Sequence, residues 1–229
     1  LGFSIFLAVS GKTSPLWLCA TWVVYASMAM INSAGFHRLF AHRSYQTNRF
    51  WNWFLLIFGT LTCYGSSIQW TVVHTIHHKY SDTSLDPHQF RTIWDVFRSN
   101  YASTVAPDGF KIIERSRYAR HLVKHRGHAW IHRHYWLLPI SFFCFLLMLS
   151  WKIALYCYLA PIGLVIFSAA FFNYVSHIGG APHNYSFFAL LPSGEGRHKL
   201  HHDEPWRWDL RERWYHPDPV ALFIKAIKR

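Results

Sequence analysis

Uncharged apolar runs alternate with short basic segments along this chain, and the alternation predicts helices that cross a bilayer. Pro15 to Phe36 and Ile153 to Ser176 carry no charged residue. Both are long enough to span, since crossing takes about 17–25 apolar residues. Tyr135 to Trp151 sits at the lower limit of that range. Phe50 to Val73 is also uncharged, but the polar, Gly-containing stretch "GTLTCYGSSIQ" interrupts it. Pro139 and Pro161 fall inside candidate spans, where membrane helices tolerate proline. Leu1 stands where a Met would start a chain. "LGFSIFLAVSG" reads as the tail of a longer apolar helix, so the N-terminus is expected to be incomplete.

The segments between the runs set the topology. "SGKTS" and the turn near Ser150 to Lys152 are short, with one lysine each. His37 to Arg49, Lys79 to Arg133 and Arg197 to Arg229 hold nearly all the remaining Lys and Arg, which places them in the cytoplasm. The basic segments after Phe36 and after Ser176 then lie on one side. Tyr135–Trp151 and Ile153–Ser176 form a hairpin that returns the chain to the side it left. If Phe50–Val73 also crossed, the two basic segments would face opposite sides, so it is expected to dip into the bundle without crossing. The expected fold is all-α and a single domain over 1–229. It is an integral membrane bundle of two transmembrane hairpins, the first helix truncated, carrying a cytoplasmic helical cap.

Composition sharpens this picture. The chain is 52% hydrophobic and 19% aromatic with only 15% charged residues, which is apolar for a soluble domain. Its 12 Trp and 12 Tyr suit membrane interfaces. The net charge of +12 is spread between apolar runs, not gathered in a basic tract. It therefore points to membrane lipids or an acidic protein and away from nucleic acid. Cys19, Cys63, Cys144 and Cys157 lie scattered in apolar runs without any C-x-x-C, and are expected to be small buried hydrophobes.

The 17 histidines carry the chemistry. "HRLFAH" holds His37 and His42; "HTIHH" holds His74, His77 and His78; "HKLHH" holds His198, His201 and His202. "NYVSH" adds Asn173 and His177 at the end of the last apolar run. In H-x-x-H-H the first histidine lies three and four residues before the others, so on a helix all three share a face. Two such runs predict six imidazoles around a common centre. His37 and His42, five apart, sit about 140° from each other on an ideal helix. They are free to serve two metals or to bracket a pair. Nine imidazoles are too many for one ion and suit two, at four or five each. Imidazole accepts Zn, Cu, Fe or Ni. A metal pair beneath an apolar bundle faces hydrocarbon, and attack on an unactivated C–H bond needs iron and oxygen chemistry, which zinc lacks. His121, His125, His128 and His132 also keep helical spacing but stand among Arg120, Lys124, Arg126 and Arg133. They read as a basic interfacial stretch, not a metal site.

The set H-x-x-x-x-H, H-x-x-H-H, H-x-x-H-H, in "GFHRLFAHRSY", "HTIHHKYSDTSLDPH" and "GEGRHKLHH", resembles the membrane fatty acid desaturases of the acyl-CoA/acyl-lipid delta-9 type. The resemblance runs from about Ala34 to His202. It implies a non-haem di-iron centre ligated by His37, His42, His74, His77, His78, His177, His198, His201 and His202, with Asn173 holding an iron-bound water. It also implies four transmembrane helices and a narrow bent tunnel for a saturated acyl chain. Oxygen would be activated at the irons to leave a cis double bond, with electrons from a separate donor such as ferredoxin or cytochrome b5. The third box departs from the family's usual Trp and Asn by carrying Arg197 and Lys199. Val72 and Val73 stand where animal acyl-CoA enzymes carry an Arg–Asp pair, which favours acyl-lipid over acyl-CoA as substrate. Asp82, Asp86 and Glu195 are candidates to receive the histidines' outer N–H groups. His88 is expected beside the ligands and not among them, and Trp70 at the tunnel mouth. A di-iron lipid hydroxylase of the same architecture is the nearest rival. A membrane metal transporter is the rival of another class, and it predicts ionisable residues within the spans, where Pro15–Phe36 and Ile153–Ser176 have none.

Overall fold

The computed structural model describes residues 14–88, 92–98, 117–190 and 193–229, so the first apolar segment lies outside the described residues. Every regular element among them is helical. Among the described residues, two helices are long and apolar enough to cross a membrane, α1 (Leu16–Ala41) and a second at Trp151–Ser176. The uncharged stretch expected not to cross is two shorter helices, α2 (Arg49–Leu61) and α3 (Ser67–Tyr80). At about 1.5 Å per residue each is roughly 20 Å long, against a hydrocarbon core of about 30 Å. The break between them is built by Cys63 and Gly65, both at positive φ. Ser66 then restarts the chain, its hydroxyl accepting from Gln69 N–H as the N-cap of α3.

Further along come the short amphipathic α4 (Arg126–Arg133), the apolar α5 (Leu137–Leu149) and the second long helix, α6 (Trp151–Ser176). The expected third span is therefore shorter than its apolar run. Ser150 adopts an extended conformation and ends α5. The hairpin itself forms, with Phe142 of α5 packed edge-on against Tyr158 of α6 at 5.1 Å. Of the residues of α5, only Pro139 and Leu146 are buried. Leu137, Ile140, Phe145 and Met148 stand open, an apolar surface suited to lipid tails. Cys19 and Cys144 are exposed on such surfaces, so they are not the buried hydrophobes expected from the sequence.

The two long helices lie side by side and run the same way. Thr21 near the start of α1 donates to Tyr156 O near the start of α6 at 2.7 Å, and Trp17 stacks on Tyr156. Both helices therefore deliver their C-terminal ends, with His37, His42 and His177, to one side. A second core joins the end of α1 to α2, α3 and the C-terminal α8 (Pro219–Ile227). Gly59 permits that approach: a Cβ there would sit 2.4 Å from the Phe36 ring.

The helix-spaced histidines before α5 have structural partners. His128 Nδ1 lies 2.8 Å from Ser67 Oγ, His132 Nδ1 lies 2.6 Å from Ser66 Oγ, and His121 Nε2 lies 2.7 Å from Phe40 O. His128 and His132 clamp α4 onto the start of α3, and His121 ties the turn before α4 to the end of α1. Burial, aided by His125 and His121, lowers the His128 pKa from 6.5 to about 3. The unfolded chain then takes up a proton that the folded chain refuses. Stability tied to His128 is intact above about 6.5 and is lost progressively as pH falls towards 3. His128→Gln should flatten the dependence of melting temperature on pH across that window; an unchanged slope would show that other groups set it.

Candidate metal centre

Nine histidines from four parts of the chain converge where α1, α3, α6 and the short α7 (His198–Asp203) meet. They form two groups. His37, His42, His74, His78 and His201 make one; His77, His177, His198 and His202 make the other. Within each group the candidate ligand atoms all lie within 4.8 Å of one another, the dimension of a single ion's shell.

Local backbone geometry decides who joins whom. The last turns of α1, Ser33–Ala41, are π-helical, and His42 N–H donates to His37 O at 3.1 Å. In that winding, closed by bonds between residues five apart, the 140° offset of an ideal α-helix shrinks and the two side chains come to one side. His37 and His42 therefore enter the same group. The H-x-x-H-H boxes do not converge on one centre as their shared faces predict. His74 and His78, four apart, go to the first group, and His77 goes to the second. The third box does the reverse, sending His198 and His202 to the second group and His201 to the first. Each box thus straddles both groups, and the two groups are held by the same pair of helices.

Three carboxylates fix the rings. Glu195 Oε1 lies 2.9 Å from His37 Nδ1, Asp86 Oδ1 lies 2.8 Å from His77 Nδ1, and Asp82 Oδ2 lies 3.1 Å from His177 Nδ1. An ionised carboxylate only accepts, so each Nδ1 carries the proton and each Nε2 turns a lone pair inwards. Asp82, at φ 62, reverses the chain after α3 and brings both aspartates back to the histidines. Asp86 also accepts from Asp82 N–H and His88 N–H, closing the turn of "SDTSLDPH". Burial pushes the Glu195 carboxyl up, but His37, Arg38 and Ser33 outweigh it and hold it at about 2. Burial likewise raises Asp86, and the bonds from His77 and the backbone bring it below its ordinary value.

This donor set fits a cation. Burial first, then neighbouring rings, push His74, His78, His198 and His201 well below the usual imidazole range, leaving the neutral, ligating form. His201 Nε2 lies 2.8 Å from His37 Nε2 and 2.9 Å from His78 Nε2. One N–H cannot satisfy both. His198 Nε2 faces His177 Nε2 at 2.9 Å and His202 Nε2 at 3.1 Å in the same way. His77 Nε2 is buried with no hydrogen-bond partner. Crowded lone pairs of this kind repel unless a positive ion sits among them.

A cavity opens from these rings between α1 and α6. His37, His74, His88, His198, Asn173 and Trp70 line its inner end, and Tyr25, Ala29 and Val165 line its outer end. Trp70 stacks on His74 at 4.5 Å. His88 packs edge-on against His77 at 5.0 Å, outside both groups. Asn173 lies one turn before His177, its amide donating to Ala169 O at 3.1 Å. Arg197 and Lys199 point away, to His216 and Asp203 respectively. The residue without any motif signal is Arg38. It is 1% exposed and reaches Trp208 O and Asp218 at 2.8 Å and Glu195 at 3.5 Å. Its one hint is position, a charge set between two ligand candidates in the short basic segment that follows the first apolar run.

Known proteins similar to this chain belong to one family. The family model for fatty acid desaturases matches residues 14–220. The chain is 32% identical to "Probable acyl-CoA desaturase" of Schizosaccharomyces pombe, over 88% of this chain and 45% of that protein. It is 28% identical to "sn-1 stearoyl-lipid 9-desaturase" of Anabaena variabilis, over 85% of this chain and 74% of that protein. It is 27% identical to human "Stearoyl-CoA desaturase 5", over 98% of this chain and 73% of that protein. It thus spans less than half the length of the S. pombe relative.

Proposed function

This chain belongs to the fatty acid desaturase family, a family of oxidoreductases, and from that premise we propose that it is an oxygen-dependent fatty acyl desaturase. It introduces a cis double bond, at the delta-9 position, into a saturated acyl chain. The observation that carries this reading is the pair of histidine groups, of five and four, at the inner end of a cavity between two apolar helices.

His37, His42, His74, His78 and His201 hold one iron, and His77, His177, His198 and His202 hold the other. When bound, the iron pair supplies the oxygen chemistry that removes hydrogen from unactivated carbon. The protein's part is positioning. Glu195, Asp86 and Asp82 lock three rings in the tautomer that presents Nε2. Asn173, which lines the cavity with His198, would hold a water beside the second group. Trp70 braces His74 and forms the cavity wall against which the acyl chain lies. The apolar lining towards Tyr25 and Val165 keeps water from the reacting carbons.

The excess of basic residues in the segments flanking the histidine groups supports a cytoplasmic site, where a separate electron donor such as ferredoxin or cytochrome b5 would reach it. Relatives named for acyl-CoA and for acyl-lipid substrates are both similar to this chain. Val72 and Val73 are buried and offer no charge to a CoA carrier, which favours an acyl-lipid.

The test is mass spectrometry of total fatty acids from a desaturase-deficient host that expresses the full-length gene with air and a matched electron donor. A new monounsaturated acid supports the proposal, and its fragmentation gives the double-bond position. A hydroxy acid would move the assignment to a hydroxylase of the same architecture. An unchanged profile from folded, iron-loaded protein would reject both.

A further inference from the structure

The charge behind the two histidine groups is unequal. Behind the five-histidine group stands Glu195, and it is matched by a buried guanidinium, Arg38 Nη2 at 3.5 Å. Arg38 in turn holds Asp218 through Nη1 at 2.8 Å. Behind the four-histidine group stand Asp86 and Asp82. Among the described residues neither has a Lys or Arg within ion-pair distance. Their partners are His77, His177, Ser81 and backbone N–H groups. The surroundings of the first group, Asp218 included, thus carry one net negative charge, and those of the second carry two.

Burial makes that difference count. Arg38, Glu195, Asp86 and Asp218 are each less than a tenth exposed and Asp82 is partly buried, at 19% side-chain exposure, so water and salt screen the first four weakly and Asp82 in part. A negative environment favours the more highly charged state of a bound ion. The chain of contacts to the first group is short: Arg38 to Glu195 to His37 Nδ1.

We propose that Arg38 is a positioning residue which, through Glu195 and His37, sets the charge felt in the five-histidine group and so makes the two irons electronically unequal. The five-histidine iron favours the ferrous state and the four-histidine iron the ferric state. The first therefore accepts the incoming electron more readily. The inference rests on the proposed di-iron reading.

Redox titration of 57Fe-loaded full-length protein in lipid nanodiscs, followed by Mössbauer spectroscopy, reads each iron separately. Arg38→Gln removes a positive charge, so at fixed potential the ferric-to-ferrous ratio of one iron should rise about tenfold while the other stays put. Asp218→Asn removes a negative charge and should move the same iron the opposite way. Asparagine still accepts from Ala221 N–H and keeps the cap of α8. Loss of packing alone would shift both variants in one direction. If Arg38→Gln fails to load iron, Arg38→Lys, expected to keep the native ratio, and Asp218→Asn decide the matter together. Wild-type protein with two irons whose variants shift in the same direction, shift both irons alike, or shift neither overturns the inference and spares the functional reading. Wild-type protein without iron removes both.

Discussion

Alanine at His201 is expected to abolish product formation and to lower bound iron from two towards one per chain. His201 belongs to the third box but joins the group whose other members come from the first and second. It is 1% exposed and lies within 3 Å of both His37 and His78 through Nε2. Its loss removes the one link that ties the end of α1, α3 and α7 around a single ion. His125→Ala is the matched control. His125 is exposed at the start of α4, and its ring neighbours among the described residues are Trp53 and His128. That variant should keep both irons and full activity. Elemental analysis of the purified proteins, with fatty acid profiles of the expressing host, reads both quantities. Full iron content in His201→Ala would sink the ligand assignment.

Alanine at Asp86 should weaken iron at the four-histidine group by about 10–100-fold, the usual cost of losing a carboxylate behind a ligating histidine. Asp86 holds His77 Nδ1, His88 N–H and Asp82 N–H at once, so one substitution frees three donors. A buried donor left unsatisfied costs about 1–3 kcal/mol, and the turn that presents Asp82 to His177 loosens with it. Chelator competition on purified protein should show one iron released early and the other retained. Asp203→Ala supplies the contrast, since Asp203 is exposed and, among the described residues, forms its ion pair with Lys199 on the surface. Equal release of both irons in Asp86→Ala, or equal sensitivity in Asp203→Ala, would remove Asp86 from the role.

Much of this site is legible in the chain because its signals are local. Absence of charge over Pro15–Phe36 and Ile153–Ser176 marks the long helices, since a bilayer tolerates few charges wherever they fall. The three boxes are readable because imidazoles three and four apart share a helix face. Asp82, Asp86 and Glu195 are readable because they lie within a few residues of a box. The break at Cys63–Ser66 follows from its polar, Gly-containing composition. Asn48 and Ser66 cap the helices that follow them, as residues of their type do.

What the chain could not reveal depends on contacts distant in sequence. Nothing in "HRLFAH" announces a π-helical turn; it arises where α1 packs on α2, α3 and α8, and it is what turns His42 to the side of His37. Helical periodicity says that His74, His77 and His78 share a face, yet a face about one turn tall spans both histidine groups, and the facing box determines the split. The histidines before α5 match a ligand helix in spacing alone; Ser66, Ser67 and Phe40, far away in sequence, occupy them. Arg38 is one more charge in a basic segment until Glu195 and Asp218 arrive from more than a hundred residues away. The sequence by itself determined the helical membrane class and which imidazoles were available, because spacing and solvation act locally. Only the tertiary structure decided how they are shared between two centres and what charge stands behind each, because those depend on where four separate segments meet.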